Sequence, residues 1–251
     1  MADDRNKNLK EAVKLRESGE LGKSLDLFNK VFNLDVKSKH FKGQVDVLGH
    51  IRIVYSHLAE GSKTKSEKEK FVKSALDYAN KTIDLIKAEL PKDIGLLAIS
   101  KVHLSDALIA YSDFANNGRI EIHKALNLIV EGLENFPGSI AHRAWALNRK
   151  AQVMHLLGNS DDALKFLKDG EIAIFEGYDE EIKNKDGAMK IKVWLTGLWL
   201  TAAKIYKESN KKILAQFYVE AVINFDDPEG TLTLRKQQAE RLLEEIKKMK
   251  K

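Results

Sequence analysis

Seven histidines are the residues of this chain best suited to metal ligation or general acid–base work. His50 and His57 stand seven apart, which puts both on one face of a helix, while His103, His123, His142 and His155 are scattered. A zinc pair carried on one helix needs its histidines about three to five residues apart, and no two here are that close. Carboxylates cluster at Asp161-Asp162, Asp179-Glu180-Glu181 and Asp226-Asp227. The first pair falls where a helix begins, and negative charge there complements the helix dipole. No nucleophile elbow, dinucleotide fingerprint or phosphate-binding loop occurs. The absence of cysteine removes thiolate zinc sites, cysteine nucleophiles and disulfides. The expectation is no catalytic residue, no metal and no cofactor, with the histidines lying at the surface or packed between helices.

The elements that would have to position any site are helical throughout. The 251 residues are 43% hydrophobic and 31% charged, the balance of a folded rather than a disordered chain. Only three prolines interrupt them. Runs with strand character, Ile51 to Tyr55 and Ile191 to Leu195, are short and lie inside longer helical patterns. The net charge of +5 comes from 42 cations set among 37 anions, without the basic concentration that marks nucleic-acid binders. Met1-Ala2-Asp3-Asp4 is unlike a secretory leader, and no apolar run reaches the roughly 18 residues that a membrane span requires. These features lead us to expect a cytoplasmic protein with no membrane segment.

Taken in order, the chain reads as five helical hairpins, at about 3–36, 43–90, 93–137, 139–176 and 188–226, and a last helix over 231–250. Gly19, Gly158 and Asn210 stand at three of the turns, where a left-handed residue ends the first helix. Gly61 to Ser66 reads as a charged insertion, with Ser66 and Glu69 forming a capping box for the helix after it. Asn116-Asn117-Gly118 is taken as the end of one helix, and Glu176 to Gly187 as a connector with room for a helical turn. The last helix carries Leu234, Ala239, Leu242, Leu243 and Ile246 on one face, fit to seal the final hairpin.

Three hairpins share one spacing. Ala12 and Ser24, Ala151 and Ala163, and Ala203 and Ala215 are each twelve apart, and each turn residue lies five before the second member. Phe28, Leu167 and Val219 follow four residues later. Small residues on both helices let the axes approach to about 8–10 Å. With Trp199, Ala202 and Tyr206 around the last pair, this pattern resembles the tetratricopeptide repeat. The resemblance covers three hairpins well, the third hairpin by its second half, and residues 43–90 poorly. It implies an all-α fold of about 11 helices, a right-handed superhelix of antiparallel hairpins in one domain over 1–251, closed by a C-terminal capping helix. The small residues Ser24, Ala75, Ala125, Ala163 and Ala215 recur at 51, 50, 38 and 52 residues, longer than the 34 of an uninterrupted array. An irregular bundle of hairpins therefore stays open beside the superhelix.

The resemblance also implies a function: a non-enzymatic scaffold whose first helices line a groove that takes a peptide or protein. Positions three before, one after and four after the packing alanine project there. They are Asn148, Gln152 and His155, with Trp145 one turn earlier, and then Leu200, Lys204 and Lys207. Amides bond a peptide backbone and lysines favour acidic partners. The lysine, asparagine and arginine set by which some members of the family hold chaperone tails is not carried over residue by residue, and neither is that function. A second reading is a nucleic-acid-binding helical array using the lysines of 63–73 and 247–251. No motif specifies the partner or the oligomeric state.

Overall fold

A computed structural model describes residues 2–184 and 186–249. Among the described residues there are eleven helices and no strand. They are α1 (Ala2–Glu17), α2 (Leu21–Lys37), α3 (Phe41–Gly61), α4 (Lys65–Glu89), α5 (Ile94–Tyr111), α6 (Gly118–Glu134), α7 (Arg143–Leu156), α8 (Ser160–Glu181), α9 (Gly187–Glu208), α10 (Lys212–Ile223) and α11 (Thr233–Lys247). The chain divides into two compact units, Met1–Pro137 and Gly138–Lys251. Each is built of hairpins: α1 on α2, α3 on α4 and α5 on α6 in the first, α7 on α8 and α9 on α10 in the second, with α11 packed on α10 and α9.

The helix turns repeat one chemistry. Gly19 and Gly158 have φ of 86° and 92°, and Asn210 has φ of 56°, the left-handed conformation expected of them. Behind each, a backbone N–H reaches five residues back: Glu20 to Leu15 at 2.8 Å, Asn159 to Met154 at 2.9 Å and Lys211 to Tyr206 at 2.8 Å. These bonds satisfy carbonyls that a helix end leaves free. Lys39, with φ of 53°, ends α2 in the same way through His40 N–H on Asp35 at 2.8 Å. Nothing in the type of Lys39 announced it.

The six paired small residues, Ala12, Ser24, Ala151, Ala163, Ala203 and Ala215, are all 0% exposed. Ser24 stands where the other two hairpins have alanine, and its hydroxyl donates to the Ala12 carbonyl across the hairpin at 2.7 Å. A small hydroxyl at this contact is satisfied by the backbone it touches. Phe28, Val31, Val47, Ile51 and Val54 fill the core of the first unit around Ala12. In the second unit, Ala163, Leu167, Ile174, Ile191 and Leu198 join α7, α8 and α9. Val219, Val222, Ala239, Leu242 and Ile246 join α10 and α11 to α9, so the last helix seals the final hairpin.

Several local expectations are corrected. The cap of α4 is Thr64, whose Oγ1 accepts from Glu67 N–H at 3.2 Å and donates to Glu67 Oε2 at 3.1 Å. Ser66 and Glu69 lie inside the helix, with Glu69 paired to Lys73 at 2.7 Å. The cap thus lies two residues earlier, and the expected insertion shrinks to Ser62, Lys63 and Thr64. The third hairpin bends earlier too: α5 stops at Tyr111, and Gly118 opens α6. The connector starting at Glu176 is helical to Glu181, because Gly177 lies against Ala141 and the Glu181 carboxylate is buried. That carboxylate accepts from the Ser139 hydroxyl, with Lys190 at 4.0 Å. Lys185, in what remains of the connector, lies outside the described residues, as do Met1 at the polar start, Lys250 of the last helix, and Lys250 and Lys251 of the basic tail.

The 18 residues of α5 are long and apolar enough to cross a membrane by length and composition, against the sequence expectation. In the first unit this helix packs against α4 and α6. It also carries His103 and Asp106, which accept from the buried Arg52 of α3 at 2.8 and 2.6 Å.

Candidate functional site

The expected groove residues all belong to the second unit, where α9 touches α7 on one side and α11 on the other. These three first-position helices form a single face. Their small buried residues, Ala151, Ala203 and Ala239, point to the second helices of the hairpins and leave the polar positions to meet one another.

Most of the expected residues are engaged within the chain. Gln152 donates to the Thr201 hydroxyl at 3.0 Å and accepts from Arg149 at 3.0 Å. His155 donates from Nε2 to Glu208 at 2.8 Å, and its Nδ1 accepts from the Ser160 hydroxyl at 2.9 Å. Lys207 donates to Glu245 of α11. Polar side chains on this face therefore join α7 to α9 and α9 to α11. Leu200 is 5% exposed and packs with Ala215, Ala239 and Leu242, so it supports the face from beneath. Lys204 is exposed.

Asn148 is 6% exposed, and its Oδ1 has no partner. Its Nδ2 lies 3.2 Å from where Gly197 of α9 would carry a Cβ, and the Arg235 guanidinium of α11 lies 3.9 Å from the same point. Gly197 thus lets the Asn148 amide pack closely on α9, with the Arg235 guanidinium beside it. Arg235 is steadied by Gln238 at 3.1 Å. Sequence reasoning found Asn148 but missed Gly197 and Arg235. Gly197 stands six before Ala203, the offset at which Trp145 precedes Ala151, so the signal was present. Arg235 needed the packing of α11.

Trp145 is half-buried and stacks on His142 with ring centroids 6.1 Å apart, and Trp194 stacks on the same imidazole at 4.8 Å. Burial, helped by the Lys190 ammonium and opposed by Glu181, pushes the His142 pKa down to about 4. His142 is therefore neutral at physiological pH. In the first unit His40 and His103 pair with Asp35 and Arg52, whereas His123 is exposed. His50 stacks on Phe28 at 5.0 Å and accepts from Arg16 at 2.7 Å. Among the described residues no three acids or histidines converge as metal ligands would.

The lysine-rich stretch of the alternative reading starts α4. Lys73 pairs there with Glu69 and Lys68 with Asp113 at 3.6 Å, so its cations are interleaved with acids. Lys247 of the tail pairs with Glu244 at 2.8 Å.

No family model matches the sequence, and no curated protein matches it. Among solved structures, a thermophilic TPR protein of Thermus thermophilus is similar over 95% of this chain and 99% of its own, with 19% identity and a TM-score of 0.58. At that identity the likeness is one of fold. Together with the hairpins and their shared turns, it gives this chain a TPR-like helical-repeat fold.

Proposed function

We propose that the chain is a non-enzymatic protein-interaction scaffold that holds a peptide or protein segment against the face of α7, α9 and α11. The observation that carries this reading is the meeting of the Asn148 amide and the Arg235 guanidinium beside Gly197, where α7, α9 and α11 come together. Two N–H donors brought together in this way select a carbonyl or carboxylate oxygen. Lys204 lies seven residues along the same helix and therefore on the same face, which extends the preference toward acidic segments. The cross-helix bonds of Gln152, His155 and Lys207 hold the face in shape before a partner arrives, so little ordering remains to oppose binding.

The test is affinity capture from native cell extract, read by mass spectrometry, comparing the wild type with Asn148→Ala/Lys204→Ala. The expected outcome is loss of the captured partner while the helical circular dichroism stays native. Unchanged capture by the double variant would remove this face as the site.

A further inference from the structure

The outer side of the second unit has a feature that the groove reading leaves unused. Ile172, Phe175, Tyr178 and Ile182 are exposed along one side of α8 and just beyond its end, with Phe175 at 87%. Their spacing of three, three and four residues makes them a continuous stripe. Large apolar side chains grouped in this way on a water-facing surface mark a contact.

The hairpin register explains why the stripe is bare. Ala163 and Ala215 are equivalent, so the last residue of α10, Ile223, corresponds to Glu171 of α8. Two contacts mark that level: Trp199 Nε1 donates to Glu171 at 2.8 Å, and the Trp199 ring lies 5.8 Å from Phe225. Beyond it α8 continues, because it has 22 residues and α10 has 12. The chain turns off after Ile223 because Pro228 breaks the helix and the Asp227 carboxylate accepts from the Thr231 hydroxyl and the Leu232 N–H, both at 2.7 Å. The ten extra residues of α8 extend about 15 Å. The stripe lies on these residues and Ile182, past the level at which α10 ends.

Charge defines what fits there. Asp169, Glu176, Asp179 and Glu180 are exposed around the stripe, with Lys168 and Lys183 at its two ends. Among the described residues, no cation pairs with any of the four acids. A second copy of the chain would bring these acids against themselves. A patch of four apolar side chains is also far smaller than the roughly 800 Å² that each partner of a stable dimer contributes. We propose that this stripe docks a short basic amphipathic helix of a partner protein. That helix lies where a longer α10 would run, with apolar residues at i, i+3, i+4 and i+7 and lysine or arginine on its flanks. The site is on the opposite helices of the hairpins from the α7, α9 and α11 face and does not depend on that reading.

The test uses the full chain and a fluorescein-labelled synthetic helix of about 14 residues. The probe carries leucines at those four positions and lysines on its flanks, and a control carries glutamate in place of lysine. Saturable anisotropy is expected with the lysine peptide and not with the glutamate peptide. Affinity should fall about tenfold or more for Phe175→Asp, as expected for an aromatic anchor. Hydrogen-exchange protection should centre on residues 172–183. The side chain of Phe175 is exposed, so the variant should keep its circular dichroism and melt within about 2 °C of the wild type. Equal binding to the wild type and Phe175→Asp, no saturable binding, or protection confined to α7, α9 and α11 would each overturn the proposal. So would a wild-type dimer in sedimentation that Phe175→Asp converts to monomer, since a second copy would then be the occupant.

Discussion

His142 shows how a single buried side chain couples this fold to pH. In the unfolded chain its imidazole takes up a proton near the ordinary pKa of 6.5, whereas in the fold it does so only near about 4. Between these values the unfolded state binds more protons, so this contribution is complete above 6.5 and is lost as pH falls toward 4. The gap corresponds to about 3 kcal/mol. Denaturant unfolding at pH about 7.5 and about 4.5 should show a loss of that order in the wild type, which His142→Phe reduces while keeping a ring stacked near Trp145 and Trp194. A second prediction at this scale separates two close glycines of α8. A Cβ on Gly177 would run into the backbone nitrogen of Ala141, but on Gly170 it would meet only the Leu198 side chain, the nearest methyl at 2.8 Å. Gly177→Ala should cost about 3 kcal/mol or more in denaturant unfolding, because backbone cannot step aside, and Gly170→Ala clearly less.

At the level of the helix, the contacts between small residues carry the architecture. Ala151→Leu and Ala203→Leu each force a larger side chain into a contact with no exposed surface, and each should destabilise by about 1–3 kcal/mol. Unchanged melting of both variants would mean that the hairpins can separate at no cost. The start of α4 provides a sharper comparison. Thr64→Ala removes the side-chain acceptor of Glu67 N–H and should cost about 1 kcal/mol in thermal unfolding, with no comparable loss for Ser66→Ala. Had Ser66 been the cap, the order would be reversed.

For the molecule as a whole, the division after Pro137 matters most. The clusters that join α7, α8 and α9, and α9, α10 and α11, draw only on residues after Gly138. A fragment of residues 138–251 is therefore expected to keep helical circular dichroism and to melt cooperatively, because it carries its own core and its own sealing helix. A non-cooperative melt would show that its stability depends on the first unit. The same fragment contains both proposed contact surfaces, so it should retain binding to the α8 stripe and to the opposite face.

The spacing of narrow residues and turn formers was enough to establish helical hairpins, their number and the helix that ends them. Those features depend on local backbone conformation and on steric period, which a chain carries in its own order. Gly19, Gly158 and Asn210 could be read because a left-handed turn restricts residue type. Ala12, Ala151 and Ala203 could be read because close helix approach restricts side-chain size. Lys39 could not be read, since the Asp35 carbonyl that stabilises its turn acts on any side chain equally. Tertiary packing alone decided the length of α8, where a buried carboxylate meets a serine that stands 42 residues earlier in the chain. It alone also decided which polar side chains of the first helices tie those helices together, because Gln152, His155 and Lys207 find partners on neighbouring helices at sequence separations that no local pattern encodes.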